Sequence, residues 1–141
     1  MTRNAWLVVL AALAVLGVVM FLPGSGLKTF AEAIAAAEGF GTPGAIPTTR
    51  NNPGDLKLGS DDSISTFNTL TDGWNALYHQ LSLVVSGASA YYSLDMSIAD
   101  FAVTWTGNDN PAGWTATVVQ YLNANGYPTV SGASPVRVVL A

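Results

Sequence analysis

No cysteine occurs anywhere in the 141 residues, so no disulfide can staple the fold and thiolate chemistry is excluded. His79 is the single histidine, which rules out a multi-histidine metal centre within one chain. Any Ser-His-Asp arrangement would have to pass through that residue, and its place beside an apolar helix stripe reads as surface. No motif calls for a cofactor. Positive charge is scarce as well: five Lys and Arg stand against nine Asp and Glu, for a formal charge of −4. A nucleic-acid-binding face needs clustered cations, so nucleic acid is excluded as a partner. A domain without disulfides or metal must hold by packing alone, and this length suits one domain rather than two.

What the chain has in excess is hydrophobic surface, half of all residues. Part of it lies in residues 5–22, which contain no charge and are apolar on every side. At about 1.5 Å per residue such a helix spans roughly 27 Å, near the hydrocarbon thickness of a bilayer. Two readings compete, a retained anchor and a cleaved signal peptide, and the length favours retention. Arg3 and the terminal amine hold the start of the chain on the cytoplasmic side, and Trp6 sits where an interfacial aromatic would. Lys28 on the far side is a weak counter-signal. The expected organisation is a transmembrane anchor and hinge over 1–26, a domain over 27–126 and a C-terminal tail over 127–141.

The hinge is Pro23-Gly24-Ser25-Gly26. Residues 27–38 are alanine-rich and helical by propensity, with Gly39 as the stop. Residues 41–58 form a long connection rich in proline, glycine and asparagine, a length usually functional in a compact domain. Leu56-Lys57-Leu58 and Ser63-Ile64-Ser65-Thr66-Phe67 alternate well enough for a small β hairpin. Asp72 is the expected N-cap of a helix through Trp74, Leu77, Tyr78, Leu81 and Val85, ending near Gly87. Ser97 with Asp100 reads as a capping box for a helix through Phe101 and Trp105. Asn110-Pro111 opens a last helix through Trp114, Val118 and Tyr121 that stops before Gly126. The tail beyond is a strand or a loose end. The predicted class is mainly α with a minor β element.

One residue stands out on the first domain helix. At about 100° per residue, Leu27, Phe30, Ala31, Ile34 and Glu38 share one sector, whereas Lys28 and Glu32 form a solvated i,i+4 pair on another side. Glu38 is thereby placed on the core-facing stripe, at the negative end of the helix dipole. Partial burial and the dipole both raise a carboxyl pKa. A carboxylic acid kept protonated near neutral pH is what protonation of a glycosidic oxygen requires. On composition alone the commoner outcome is a glutamate that frays off the helix end into water.

The stretch Ala33-Ile34-Ala35-Ala36-Ala37-Glu38-Gly39-Phe40, followed by Arg50-Asn51-Asn52-Pro53-Gly54-Asp55-Leu56, resembles the lysozyme-like superfamily, closest to the lytic transglycosylase-type domains common in phages. Asp72-Gly73-Trp74 and the run from Met96 through Phe101 to Trp105-Thr106-Gly107 look like the same domain group. The resemblance implies a lysozyme-like α+β fold and a single essential glutamate, Glu38, beside a cleft. It also implies departures. The Gly-Leu-Met-Gln element of soluble transglycosylases is absent. Trp105 and Thr106 stand where an Ala-Tyr-Asn element would supply tyrosine and asparagine. Pro47 and Pro53 occupy the places where phage-type lysozymes carry further catalytic residues.

The function implied is cleavage of the MurNAc-GlcNAc bond of peptidoglycan glycan strands, as a lytic transglycosylase or lysozyme, on the periplasmic side or within a membrane-containing virion. Asn51 and Asn52 read equally as sugar-binding amides or as turn formers before Pro53. Trp105, Thr106 and Tyr121 are the remaining candidate substrate contacts; Trp105, Trp114 and Tyr121 offer flat faces for stacking on sugar rings, Trp105 the best placed for a cleft, while at least one of Trp114 and Tyr121 belongs to the core. Asp55, in the connection, revives a two-carboxylate mechanism if it faces Glu38. The implied partners are glycan strands, a bilayer through residues 5–22, and envelope or virion subunits. The alternative is a non-catalytic, membrane-anchored structural or assembly protein that retains the fold.

Overall fold

Six helical segments make up the computed structural model, which describes residues 24–141, and the side chain of the N-cap residue closes three of them. The anchor expected over 5–22 lies outside the described residues. Among those described, no helix is long and apolar enough to cross a membrane.

Helix α1, Ser25–Ala37, is the hub. Leu27, Phe30, Ala31 and Ile34 are buried as the wheel predicts, but Ala33 and Ala35 are buried too. Small alanines on the remaining faces let neighbours close in from several sides. Three helices pack on α1: α3 (Leu70–Ser86), α5 (Pro111–Ala124) and the short α6 (Arg137–Leu140). Helix α4, Ile98–Thr106, packs on α5, and α2, Ile46–Thr49, is a single turn in the long connection. Phe30, Ile34, Leu77, Leu81, Phe101, Val118 and Leu122 form the fully buried centre.

The ends of the helices follow local chemistry. Ser97 caps α4 by accepting from the Asp100 amide at 3.0 Å, and Asn110 caps α5 through the Gly113 amide at 3.2 Å. Gly87 and Gly107 close α3 and α4 in the left-handed region. The cap of α3 differs from the sequence expectation. Thr69, not Asp72, accepts the capping bond from the Asp72 amide at 3.1 Å, so Asp72 lies in the first turn. An acidic residue there favours the helix dipole equally well, which is why the two positions look alike in sequence.

The expected hairpin is only sketched. Ser65 donates to the Leu56 carbonyl at 2.8 Å, but the Leu58 amide goes to the Ser65 hydroxyl instead of a backbone partner. The Asn52 side chain takes the Leu56 and Ser65 carbonyls. With side chains satisfying the ladder groups, no strand forms, and one isolated bridge, Ser97 to Pro135, is the whole of the β structure among the described residues. The architecture is mainly α.

Residues 127–141 are packed into this same body. Val130, Val136, Val139 and Leu140 are buried in the common core. Gly26 makes room for them, since a Cβ there would stand 1.9 Å from the Val139 carbonyl oxygen. The sequence Gly24-Ser25-Gly26 therefore starts α1 and seats the far end of the chain.

Candidate active site

Glu38 is the C-cap of α1, held by its own amide to the Ile34 carbonyl at 2.9 Å. Gly39 follows at φ +78°, and Phe40 donates back to the Ala35 carbonyl at 3.0 Å. This closing turn fixes the Glu38 backbone, so the side chain stays on the buried sector instead of fraying outward. Its carboxylate accepts a hydrogen bond from Trp114 Nε1 at 2.8 Å. Trp114 comes from the first turns of α5, whose start is set by Asn110 and Pro111.

The Glu38 carboxyl is pushed up from 4.5 to about 7. Burial is the main cause, because a half-buried carboxylate loses hydration that the neutral acid does not need. The hydrogen bond from Trp114 works against the shift by favouring the anion. The negative charge of Asp55 adds to the rise, and a hydrogen-bonding influence from Trp105 opposes it.

Asp55 reaches the site through the 50–56 loop. Asn52, fully buried, staples this loop: its amide nitrogen donates to Leu56 and Ser65 carbonyls at 3.0 and 2.9 Å, and its oxygen accepts from the Leu56 amide at 2.9 Å. Gly73 in α3 lets the loop lie flat against the helix, for a Cβ there would stand 1.8 Å from the Asn51 carbonyl oxygen. Asp55 itself sits at φ 52°, and its Oδ1 is buried without a hydrogen-bond partner among the described residues. Burial raises its pKa, while Lys57 and Arg50 pull it down.

Both carboxyls line one open cavity of about 990 Å³. A row of aromatic rings backs it. Phe101 stacks on Trp105 at 5.3 Å and on Trp114 at 6.1 Å, and Tyr92 lies 4.4 Å from Phe101 and 5.7 Å from Trp105. The two indoles closest to Glu38 are thus locked by a shared buried phenylalanine. Burial pushes the Tyr92 phenol up to about 12, so it stays neutral.

Of the residues singled out in the sequence, Glu38, Asp55, Trp105, Thr106 and Trp114 meet at this cavity. Asn51, Asn52 and Tyr121 are not on its wall, and each has another partner. Asn51 donates to the Phe67 carbonyl at 3.1 Å, Asn52 is consumed by the loop staple, and the Tyr121 hydroxyl donates to Glu32 Oε2 at 2.9 Å. His79 is exposed. Sequence reasoning gave Trp114 only a core or ring-stacking role, yet it is the direct donor to Glu38. The alternation of the α5 stripe shows burial, not what a buried indole N–H faces. It also passed over Tyr91, Tyr92, Asp62 and Asp109, all on the cavity wall, because loop residues carry no periodic signal. Among the described residues no cluster of potential metal ligands is found.

No protein-family model matches the chain, and neither the curated proteins nor the solved structures give a match.

Proposed function

We propose that this domain cleaves the glycan strands of peptidoglycan at the MurNAc-GlcNAc bond, with Glu38 as the general acid. One observation carries the reading: a carboxyl with a pKa of about 7 stands on the wall of an open cavity of about 990 Å³. Such a group is still protonated in part at neutral pH and is positioned to give its proton to a leaving oxygen. The lysozyme-like resemblance around Glu38 supplies the substrate class, and a lysozyme-like fold is part of the proposal.

In the lytic transglycosylase course, Glu38 protonates the glycosidic oxygen as the bond to the anomeric carbon breaks. The N-acetyl oxygen of the same sugar holds the developing positive charge. The Glu38 carboxylate then takes the proton of the C6 hydroxyl, whose oxygen closes on the anomeric carbon to give a 1,6-anhydro end, and the acid is regenerated. Asp55 favours a second course. Its carboxylate lines the same cavity and its charge is felt by Glu38, so it supplies the partner that two-carboxylate hydrolysis uses. Water then replaces the C6 hydroxyl and leaves a reducing end.

Residues 5–22 would hold the enzyme in a bilayer, with the domain on the periplasmic side or inside a membrane-containing virion. The net charge of −4 works against tight binding to an anionic envelope and favours the competing role, a structural or assembly subunit without turnover. Incubation with purified peptidoglycan and mass spectrometry of released muropeptides separates these readings. Release that is lost in Glu38→Gln, with folding intact, supports the enzyme. Products one water lighter identify the transglycosylase, and reducing ends the hydrolase. No release by the folded wild-type protein overturns the enzyme and leaves the structural role.

A further inference from the structure

We infer that Tyr91 is a saccharide-stacking platform at the rim of the cavity, binding a sugar ring away from the bond that is cut. The inference rests on the glycan-cleaving reading for the class of ligand, and on geometry for the residue. Tyr91 is 77% exposed, the most exposed large hydrophobic among the described residues, yet it belongs to the wall of the Glu38 cavity. Its neighbour Tyr92 does the opposite job, packing on Phe101 and Trp105.

The connection that carries both tyrosines is held in place without using the Tyr91 ring. The Ser89 hydroxyl accepts from the Tyr91 and Tyr92 amides at 3.4 and 3.2 Å. Farther along, the Arg137 amide donates to the Leu94 carbonyl at 2.9 Å, and the Arg137 side chain pairs with Asp95 at 2.7 Å. An aromatic ring displayed on a pre-set loop loses little freedom on binding, so more of its contact energy appears as affinity.

Leu58, 51% exposed, is on the same wall, as are the carboxylates of Asp62 and Asp109. An occupant suited to this rim has a flat apolar face for Tyr91 and Leu58 and hydroxyl or amide N–H donors for the carboxylates. A pyranose ring of an uncharged amino-sugar polymer has both. An anionic group is disfavoured at this rim, since among the described residues Lys57 is the one cation on the wall and it is paired with Asp62 at 3.5 Å.

Binding of a β-1,4-linked N-acetylglucosamine hexamer to the 141-residue chain tests this by calorimetry, in a Glu38→Gln background that blocks turnover. Tyr91→Ala should weaken binding about three- to tenfold, the factor that corresponds to an aromatic contact of ordinary strength, and Tyr91→Trp should restore it. On peptidoglycan with Glu38 intact, Tyr91→Ala should raise KM by a similar factor and leave kcat in place. Weakened hexamer binding without any peptidoglycan release by wild type upholds the platform and sinks the cleavage reading. Release that proceeds with hexamer affinity and KM unmoved by Tyr91→Ala sinks the platform and spares the cleavage reading. Failure of the parent protein to bind the hexamer also overturns it.

Discussion

Replacing Glu38 by Gln should stabilise the domain in alkaline solution, although it removes the proposed general acid. The folded state holds the Glu38 proton with a pKa of about 7, against 4.5 for the free side chain. Between those values the native state binds more protons than the unfolded chain, so stability falls as pH rises. The contribution of protonated Glu38 is fully present below about pH 4.5 and is lost once pH has passed about 7. A gap of this size corresponds to about 3 kcal/mol for a group sealed from water. Glu38 keeps some contact with solvent, which brings the figure to about 2 kcal/mol. An amide oxygen can still accept the Trp114 N–H, and the amide never ionises. Wild type and Glu38→Gln should therefore melt together near pH 4. The variant should gain steadily through pH 4.5–7 and hold a constant advantage above, about 5–8 °C for a domain of this size. Circular-dichroism melts of both proteins at pH 4, 5.5, 7 and 9 measure this, and the other titrating groups largely cancel in the difference. A difference that stays flat with pH, or that turns against Glu38→Gln as pH rises, refutes the burial argument.

Two further outcomes follow from the loop that brings Asp55 to the site. Asp55→Asn removes a negative charge that helps raise the Glu38 pKa, so the alkaline limb of muropeptide release should move to lower pH; the rate at the optimum should drop at least about a hundredfold only if Asp55 takes a chemical part. Gly73→Ala drives a methyl group into the Asn51 carbonyl, 1.8 Å from the Cβ position, and should cost about 3 kcal/mol or more in urea unfolding while displacing the 50–56 loop. Stability unchanged in that variant would mean that the loop does not lie on α3 as described.

The four longer helices and the partial burial of Glu38 were legible in the sequence because each depends on local chemistry. Ser97, Asn110-Pro111, Gly87 and Gly107 mark helix ends through bonds made within a few residues, and Glu38 falls on the apolar stripe by angle alone. What could not be read depends on distant partners. Asn52 has the composition of a turn former or a sugar ligand, and only its juxtaposition with Leu56 and Ser65 makes it a staple. Tyr121 has a ring suited to stacking, and only the packing of α5 on α1 hands its hydroxyl to Glu32. The last fifteen residues show too few periodic positions to announce a core role, yet Val136 and Val139 are buried against the start of α1. The approach of Asp55 to Glu38 is of the same kind: a buried asparagine, Asn52, and a helix glycine, Gly73, set it together, and neither signals it alone.

Helix α1 has thirteen residues, a rod roughly 20 Å long. At its first turn Gly26 is wedged under Val139, and at its last turn Glu38 is pinned by Trp114. A pull on the start of α1 would thus reach Glu38 only as motion of the whole rod. The strain would first have to pry the terminal valines from their seat. Until it did, the Glu38 carboxyl and the Trp114 indole would move as one piece and keep their alignment.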